Sequence, residues 1–287
     1  SGAETADETV NYLNKQGAKT GVLKVRLFRP FDATRLLNAL PDSVKQIAVL
    51  DRTKEPGADG EPLYKDIATA LMQSILSGQQ SATELPKLIG GRFGLSSKEF
   101  TPAMIKGVFD ELNKTDSKNL FTVGINDDLT HTSITYDEQF ITDAHKDTYQ
   151  AVFYGLGADG TVSANKNSIK IIGDLADYYA QGHFVYDSKK SGAVTVSHLR
   201  FGPRKIHSAY EIQTDQADFI ACHQPRFLDL YPMLDKARNG AVFLLNSSAS
   251  PGELWDTLPE PVQQTLIKKQ IRLFAIDAYK VALACGM

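Results

Sequence analysis

One stretch limits what this chain can become: Gly155 to Lys170, GLGADGTVSANKNSIK, set between the apolar run Ala151 to Tyr154 and the pair Ile171–Ile172. The run before it reads as a strand. Glycines at 155, 157 and 160 then give a G-x-G-x-x-G string that opens a helix. Glycines let backbone N–H groups approach a phosphate closely, and a helix N-terminus adds the positive end of its dipole. Asn165, Lys166, Asn167, Ser168 and Lys170 follow, all able to donate hydrogen bonds. The stretch predicts a site for a phosphate-bearing ligand. A second donor cluster, Asp187-Ser188-Lys189-Lys190-Ser191-Gly192, follows the apolar run Phe184 to Tyr186.

The order strand, glycine turn, helix, strand, acid matches a dinucleotide fingerprint, with Asp187 placed for a ribose hydroxyl. The spacing to Asp187 is longer than that fingerprint normally has. The plainer alternative is that the glycines only make a tight turn. Lys166, Lys170, Lys189 and Lys190 can neutralise phosphates, and Arg200, Arg204 and Lys205 form a third basic group. That favours a multiply phosphorylated ligand such as NADP or coenzyme A, each with a pyrophosphate and a ribose phosphate. For Lys189–Lys190 the plainer alternative is a solvated loop.

The rest of the chain alternates helix and strand. Apolar residues at 6, 10 and 13 ahead of Gly17 fit a helix from Glu4 to Gln16. Thr20 to Leu27 reads as a strand. Asp32 caps a helix to about Leu40, Gln46 to Leu50 is a strand, and Pro62 starts a helix to about Ser77. Leu88 to Phe93 is a strand, and Thr101 caps a helix to about Leu112. Leu120 to Ile125 is a strand, and Asn126 to Gln150 is polar and irregular. Beyond the central stretch, Val194 to Leu199 alternates like a half-buried strand. Asp218 to Ala221 and Ala241 to Leu245 are short strands with a helix from Leu228 to Arg238 between them. Pro259 to Lys269 and Ile276 to Ala284 are helices around a strand at Ile271 to Phe274. The pattern predicts α/β structure with mainly parallel sheets covered by helices. At 287 residues two domains are expected, at 1–120 and 149–287, with a linker at 121–148. The first residues, Ser1-Gly2-Ala3, read as a turn after a strand that is not there, and Cys285-Gly286-Met287 follows a helical run. Both ends suggest a piece of something longer.

Several function classes are disfavoured. A net charge of −3 gives no reason to expect nucleic acid or an anionic membrane as partner. There is no apolar run of membrane-spanning length and no basic-then-apolar leader. Two cysteines, Cys222 and Cys285, are too few for a Cys₄ zinc site or an all-cysteine iron–sulfur cluster, and point to a reducing compartment. The histidines, His223 among them, are scattered without metal-ligand spacing. Ser247-Ser248-Ala249-Ser250 lacks a glycine-flanked nucleophile pattern, and Cys222 reads as core. No catalytic acid–base pair and no metal site stand out.

Four runs resemble the gamma-type domain of pyruvate:ferredoxin (flavodoxin) oxidoreductases: GLGADGTVSANKNSIKIIG, QGHFVYDSKKSGAVTVSHLRFGP, ADFIACHQP and GAVFLLNSS. SGAETADETVNYLNKQGAKTGVLKVRLFRPF, AVLDRTKEPGADGEPLY and IGGRFGLSSKEF resemble the domain before it, which is like the C-terminal domain of transketolases. FTVGINDDLTHTS matches the connection. The resemblance covers essentially the whole chain. It implies an intact enzyme that oxidatively decarboxylates pyruvate with thiamine diphosphate and magnesium. Electrons pass through [4Fe–4S] clusters to ferredoxin or flavodoxin, and acetyl goes to coenzyme A to give acetyl-CoA. It also implies a homodimer in the cytoplasm (an organelle in a eukaryote) and no activity for this piece alone. The gamma-type domain helps bind coenzyme A, which selects that ligand over NADP. Gly157, Asp159, Gly160, Thr161, Asn165 and Lys166 are then expected around one part of it, and Ser188, Lys189 and Lys190 at its phosphates. The transketolase-like half is expected to be scaffold, and its Arg26, Arg29 and Lys54 need not touch any ligand. The alternatives are a pyruvate:NADP oxidoreductase, a free-standing NADP-dependent dehydrogenase and a purely structural module.

Overall fold

The computed structural model describes residues 2–186, 193–250 and 252–286. The chain divides into two compact units, Ser1–Asp143 and Ala144–Met287. The first holds α1 (Gly2–Lys15), α2 (Ala33–Ala39), β1 (Gln46–Asp51), α3 (Pro62–Leu76), β2 (Lys87–Arg92), α4 (Pro102–Leu112) and β3 (Phe121–Thr122). Its sheet runs β1-β2-β3 and is parallel throughout, with Gln46 opposite Lys87 and Asp51 opposite Arg92. Successive strand residues point to opposite faces, and both faces of a parallel sheet need cover. Ala48 and Leu50 join Ile105, Val108 and Phe121 in one cluster, while Val49 joins Leu36, Ile67 and Leu71 in the other.

The local starts follow from capping chemistry. The Asp32 carboxylate accepts the Arg35 N–H at 2.9 Å, Pro62 is the first residue of α3, and the Thr101 hydroxyl accepts the Met104 N–H. Three expectations fail in this unit. Thr20 to Leu27 joins no ladder; it is a surface run whose Lys24 ammonium pairs with Glu4 at 2.8 Å and Asp7 at 3.0 Å on α1. The strand expected over Leu120 to Ile125 shrinks to Phe121–Thr122, because Leu120 and Gly124 both take positive φ, 55° and 67°. Gly2 and Ala3, read above as a turn, already belong to α1.

The second unit holds β4 (Tyr149–Leu156), α5 (Thr161–Leu175), β5 (Tyr179–Tyr186), β6 (Val194–Gly202), β7 (Ala217–Cys222), β8 (Ala237–Asn246), α6 (Glu260–Lys268), β9 (Arg272–Ile276) and α7 (Ala278–Ala284). Its sheet order is β5-β6-β4-β7-β8-β9. The sheet is mainly parallel, as expected, with one strand reversed: β6 runs antiparallel to both β4 and β5, while β4, β7, β8 and β9 are mutually parallel. The helix expected over Leu228 to Arg238 is absent. Pro225 and Pro232 remove the N–H donors a continuous helix needs, leaving two short 3₁₀ turns, Pro225–Leu228 and Met233–Lys236. Val152, Ile220 and Phe243 are fully buried at the centre of this core.

Candidate functional site

The site follows from where the chain changes direction. From β4 the chain passes through α5 towards β5 on one side; from β7 it continues to β8 and β9 on the other. The adjacent carboxyl ends of the parallel pair β4 and β7, where Tyr154 lies opposite Cys222, are therefore a topological switch point, the usual place for a ligand in an open α/β sheet.

The turn from β4 into α5 is built by its own residues. Ala158 and Gly160 take φ of +70° and +86°. Gly155 allows close approach: a Cβ there would lie 2.3 Å from the Thr161 hydroxyl. The Asp159 carboxylate accepts the Leu156 N–H at 2.7 Å and the Thr161 N–H at 2.8 Å. The Gly157 N–H donates to the Ala193 carbonyl at 2.7 Å, fastening the turn to the start of β6. Gly160 offers no side-chain cap, so the N–H groups of Val162 and Ser163 have no partner among the described residues.

These groups line a cavity of about 330 Å³ with Gly157, Asp159, Gly160 and Thr195. The Thr195 side chain is 93% buried by residue, and its hydroxyl has no partner among the described residues. The cavity thus offers donors without acceptors at the positive end of a helix. Among its described lining residues Asp159 is the one charged group.

The structure separates the predicted residues. Gly157, Asp159 and Gly160 line the cavity. Thr161 and Asn165 lie beneath the helix, each 4% exposed, and the Asn165 amide nitrogen has no partner among the described residues. Lys166 is exposed on the helix flank, its ammonium 5.5 Å from the centroid of the Phe184 ring. Ser188, Lys189 and Lys190, with Asp187, lie outside the described residues, but Tyr186 and Ala193 on either side of that segment both line the cavity. The third basic group does not gather here. Arg200 is 1% exposed, bonded to Gln150 at 3.1 Å and to the Tyr210 carbonyl at 2.8 Å, and Arg204 pairs with Asp147 at 2.7 Å. The dinucleotide geometry is altered too. β6 lies between β4 and β5, so the end of β5 is two strand spacings, roughly 10 Å, from the glycine turn rather than one.

Sequence reasoning missed His223. Its Nδ1 lies 2.8 Å from the Thr161 hydroxyl, at the switch point. Burial holds its pKa below the usual histidine value, against the pull of Asp159. The two residues are far apart in sequence, and no local pattern joins them. Cys222 beside it is core, its thiol pushed up to about 12 by burial. Among the described residues no group of three His, Cys, Asp or Glu side chains is placed to hold a metal, and no helix is long and apolar enough to cross a membrane.

Residues 150–287 match the family model described as pyruvate ferredoxin/flavodoxin oxidoreductase, and residues 1–94 match the one described as pyruvate:ferredoxin oxidoreductase core domain II. The chain is similar to the pyruvate-flavodoxin oxidoreductase of Rhodospirillum rubrum, 57% identical over 100% of this chain and 24% of that one. It is similar also to the pyruvate:ferredoxin oxidoreductase of Moorella thermoacetica, 54% identical over 100% of this chain and 24% of that one. The chain therefore spans about a quarter of the length of the curated relatives it matches. A solved structure of a pyruvate oxidoreductase subunit PORC from Thermotoga maritima aligns with a TM-score of 0.35 at 16% identity, covering 48% of this chain and 66% of that one.

Proposed function

Because the chain belongs to the pyruvate ferredoxin/flavodoxin oxidoreductase family, we propose that it is the part of such an enzyme that takes up coenzyme A. The whole protein oxidatively decarboxylates pyruvate, passes the electrons to ferredoxin or flavodoxin, and delivers the acetyl group to coenzyme A. The observation that carries the reading is the uncapped N-terminus of α5, with the Val162 and Ser163 N–H groups and the Thr195 hydroxyl unpartnered among the described residues at one cavity. A ligand rich in phosphate and hydroxyl oxygens supplies the acceptors that these donors lack. The lone anion at the described wall, Asp159, has both oxygens engaged by backbone N–H groups, so cations for the phosphates must come from elsewhere. Lys189 and Lys190 are the candidates, in a segment whose two neighbours, Tyr186 and Ala193, stand at the cavity.

Thiamine diphosphate, magnesium and the iron–sulfur clusters expected of the enzyme are assigned to its other parts. A [4Fe–4S] cluster needs four thiolates, and this chain offers Cys222, buried with a raised pKa, and Cys285. Association as a homodimer and a cytoplasmic location belong to the same proposal.

Calorimetric titration with coenzyme A at low and moderate salt, with NADP as control, tests it. Salt-sensitive binding of coenzyme A that a Lys189→Ala/Lys190→Ala variant loses is the expected result. Equal binding of NADP, or unchanged affinity in the double variant, counts against the site.

A further inference from the structure

We infer that His223 is a positioning residue: from the end of β7 it fixes the first turn of α5 against the cavity through the Thr161 hydroxyl. His223 is itself held from three directions. Its N–H donates to the Tyr154 carbonyl of β4 at 2.9 Å, and its carbonyl accepts from the Asn246 amide of β8 at 3.1 Å. Its ring meets Phe153 edge-on, centroids 6.4 Å apart. Asn246 in turn accepts the Ala278 N–H at 3.0 Å. The imidazole is thus tied to the central strands of the sheet, while α5 begins on an uncapped glycine.

The fully buried residues at the start of α5 are polar, Thr161 and Asn165, with Val162 half-buried between them. Thr161 sits over Gly155, where no side chain intervenes, and the next residue inward, Asn165, is polar and buried. His223 Nδ1 and the Thr161 hydroxyl share one directional hydrogen bond of 2.8 Å, its donor set by the imidazole tautomer, and that bond sets how far the turn stands from the sheet. The Val162 and Ser163 N–H groups follow Thr161 directly, so the same bond sets where they stand in the cavity. Asp159 is the charged group that acts on His223. The ligand half of the test rests on the coenzyme A reading; the seat of the helix does not.

Hydrogen exchange by mass spectrometry on the full polypeptide reads the seat, followed over the start of α5, where the Ala164 N–H bonds the Gly160 carbonyl at 2.9 Å. Thr161→Val removes the hydroxyl at constant shape, and His223→Phe removes the nitrogen. Each should speed exchange there about fivefold to tenfold, matching one net hydrogen bond, with the double variant no faster than either single one. Thr161→Ser should restore wild-type exchange, and peptides from β8 should not change. Wild-type exchange in both single variants, or independent effects that multiply, overturns the inference. If those variants do not fold, His223→Asn, which keeps an acceptor near Nδ1, is set beside Thr161→Ser: near-wild-type exchange in both supports the seat, and fast exchange in both overturns it. Coenzyme A affinity should fall in step, about tenfold in Thr161→Val, and return in Thr161→Ser. If the wild-type protein does not bind coenzyme A but the exchange pattern appears, the ligand reading falls and the seat stands.

Discussion

Helices α3 and α5 each start at the carboxyl end of a parallel strand, β1 and β4, and they end up in opposite conditions. At α3 the last residue of β1 is Asp51, and its buried carboxylate accepts the Leu63 N–H at 3.0 Å and the Tyr64 N–H at 3.1 Å. The positive end of that helix is closed from within. At α5 the last residue of β4 is Leu156, and the nearby carboxylate, Asp159, is engaged at Leu156 and Thr161. The next two N–H groups stay open to a cavity. The difference lies in one strand-terminal residue: Asp51 closes the positive end of α3, and Leu156 leaves that of α5 without a carboxylate.

The comparison breaks most visibly at the closed end. Asp51→Ala leaves two N–H groups without acceptors in a buried setting and should destabilise the first unit by about 3 kcal/mol. Urea unfolding followed by signals of that unit measures it; a loss under about 1 kcal/mol would mean the carboxylate closes nothing. At the open end, Gly155→Ala puts a methyl group 2.3 Å from the Thr161 hydroxyl. It should lift the first turn of α5 and cost about 2 kcal/mol as overpacking, with faster exchange confined to α5. An effect spread evenly over the second unit would contradict so local a contact.

How much of this was legible in the sequence depends on distance along the chain. The strand–turn–helix of 149–175 was, because the apolar run, the glycines and the helix are contiguous. So were the starts at Asp32, Pro62 and Thr101, where cap and helix are neighbours. Thr20 to Leu27 misled, because β-branched residues signal a surface that fits a ladder and cannot show that a partner strand exists. Leu228 to Arg238 misled because a connection between two parallel strands is usually a helix, whereas Pro232 denies this one a donor and leaves short 3₁₀ turns. The insertion of β6 between β4 and β5 is a matter of topology, which periodicity does not carry. The pairing of Thr161 with His223 is likewise invisible until the sheet brings the ends of β4 and β7 together. Three of the six residues expected around the ligand line the cavity, because helix phase turns Thr161 and Asn165 under α5 and Lys166 to its flank.

The same contrast has a pH dependence of opposite sign in the two units. Burial raises the Asp51 pKa above 3.8. The part of its contribution that depends on protonation is therefore fully present below that value and is lost as pH rises through the raised one, while the bonds to the Leu63 and Tyr64 N–H groups remain. His198 of the second unit is fully buried, its Nδ1 accepting the Ile212 N–H at 3.1 Å. Burial, then Lys236, Arg200 and His183, hold its pKa well below 6.5, although Glu211 lies 3.9 Å from Nε2. Its contribution is present above 6.5 and is lost as pH falls below it. One pH unit below 6.5 the loss should reach about 1.4 kcal/mol, read as the difference in unfolding free energy between wild type and His198→Asn across pH 5 to 7.5. A parallel pair of curves would mean that His198 takes up a proton in the folded state as easily as in the unfolded one.

The smallest effect is the most discriminating, because it runs against the usual direction of mutation. An unpartnered hydroxyl in a 93% buried position weakens the empty protein and helps it only when an acceptor arrives. Thr195→Val keeps the shape, suits a strand and removes that hydroxyl. It should stabilise the ligand-free second unit by about 1 kcal/mol and weaken coenzyme A binding by a comparable amount. Asp51→Ala, at the closed helix, has no ligand-dependent counterpart. If Thr195→Val loses stability instead, its hydroxyl already has an acceptor, and α5 is closed as α3 is. If it gains stability and leaves coenzyme A binding unchanged, the helix is open but the ligand meets its N-terminus without reaching β6.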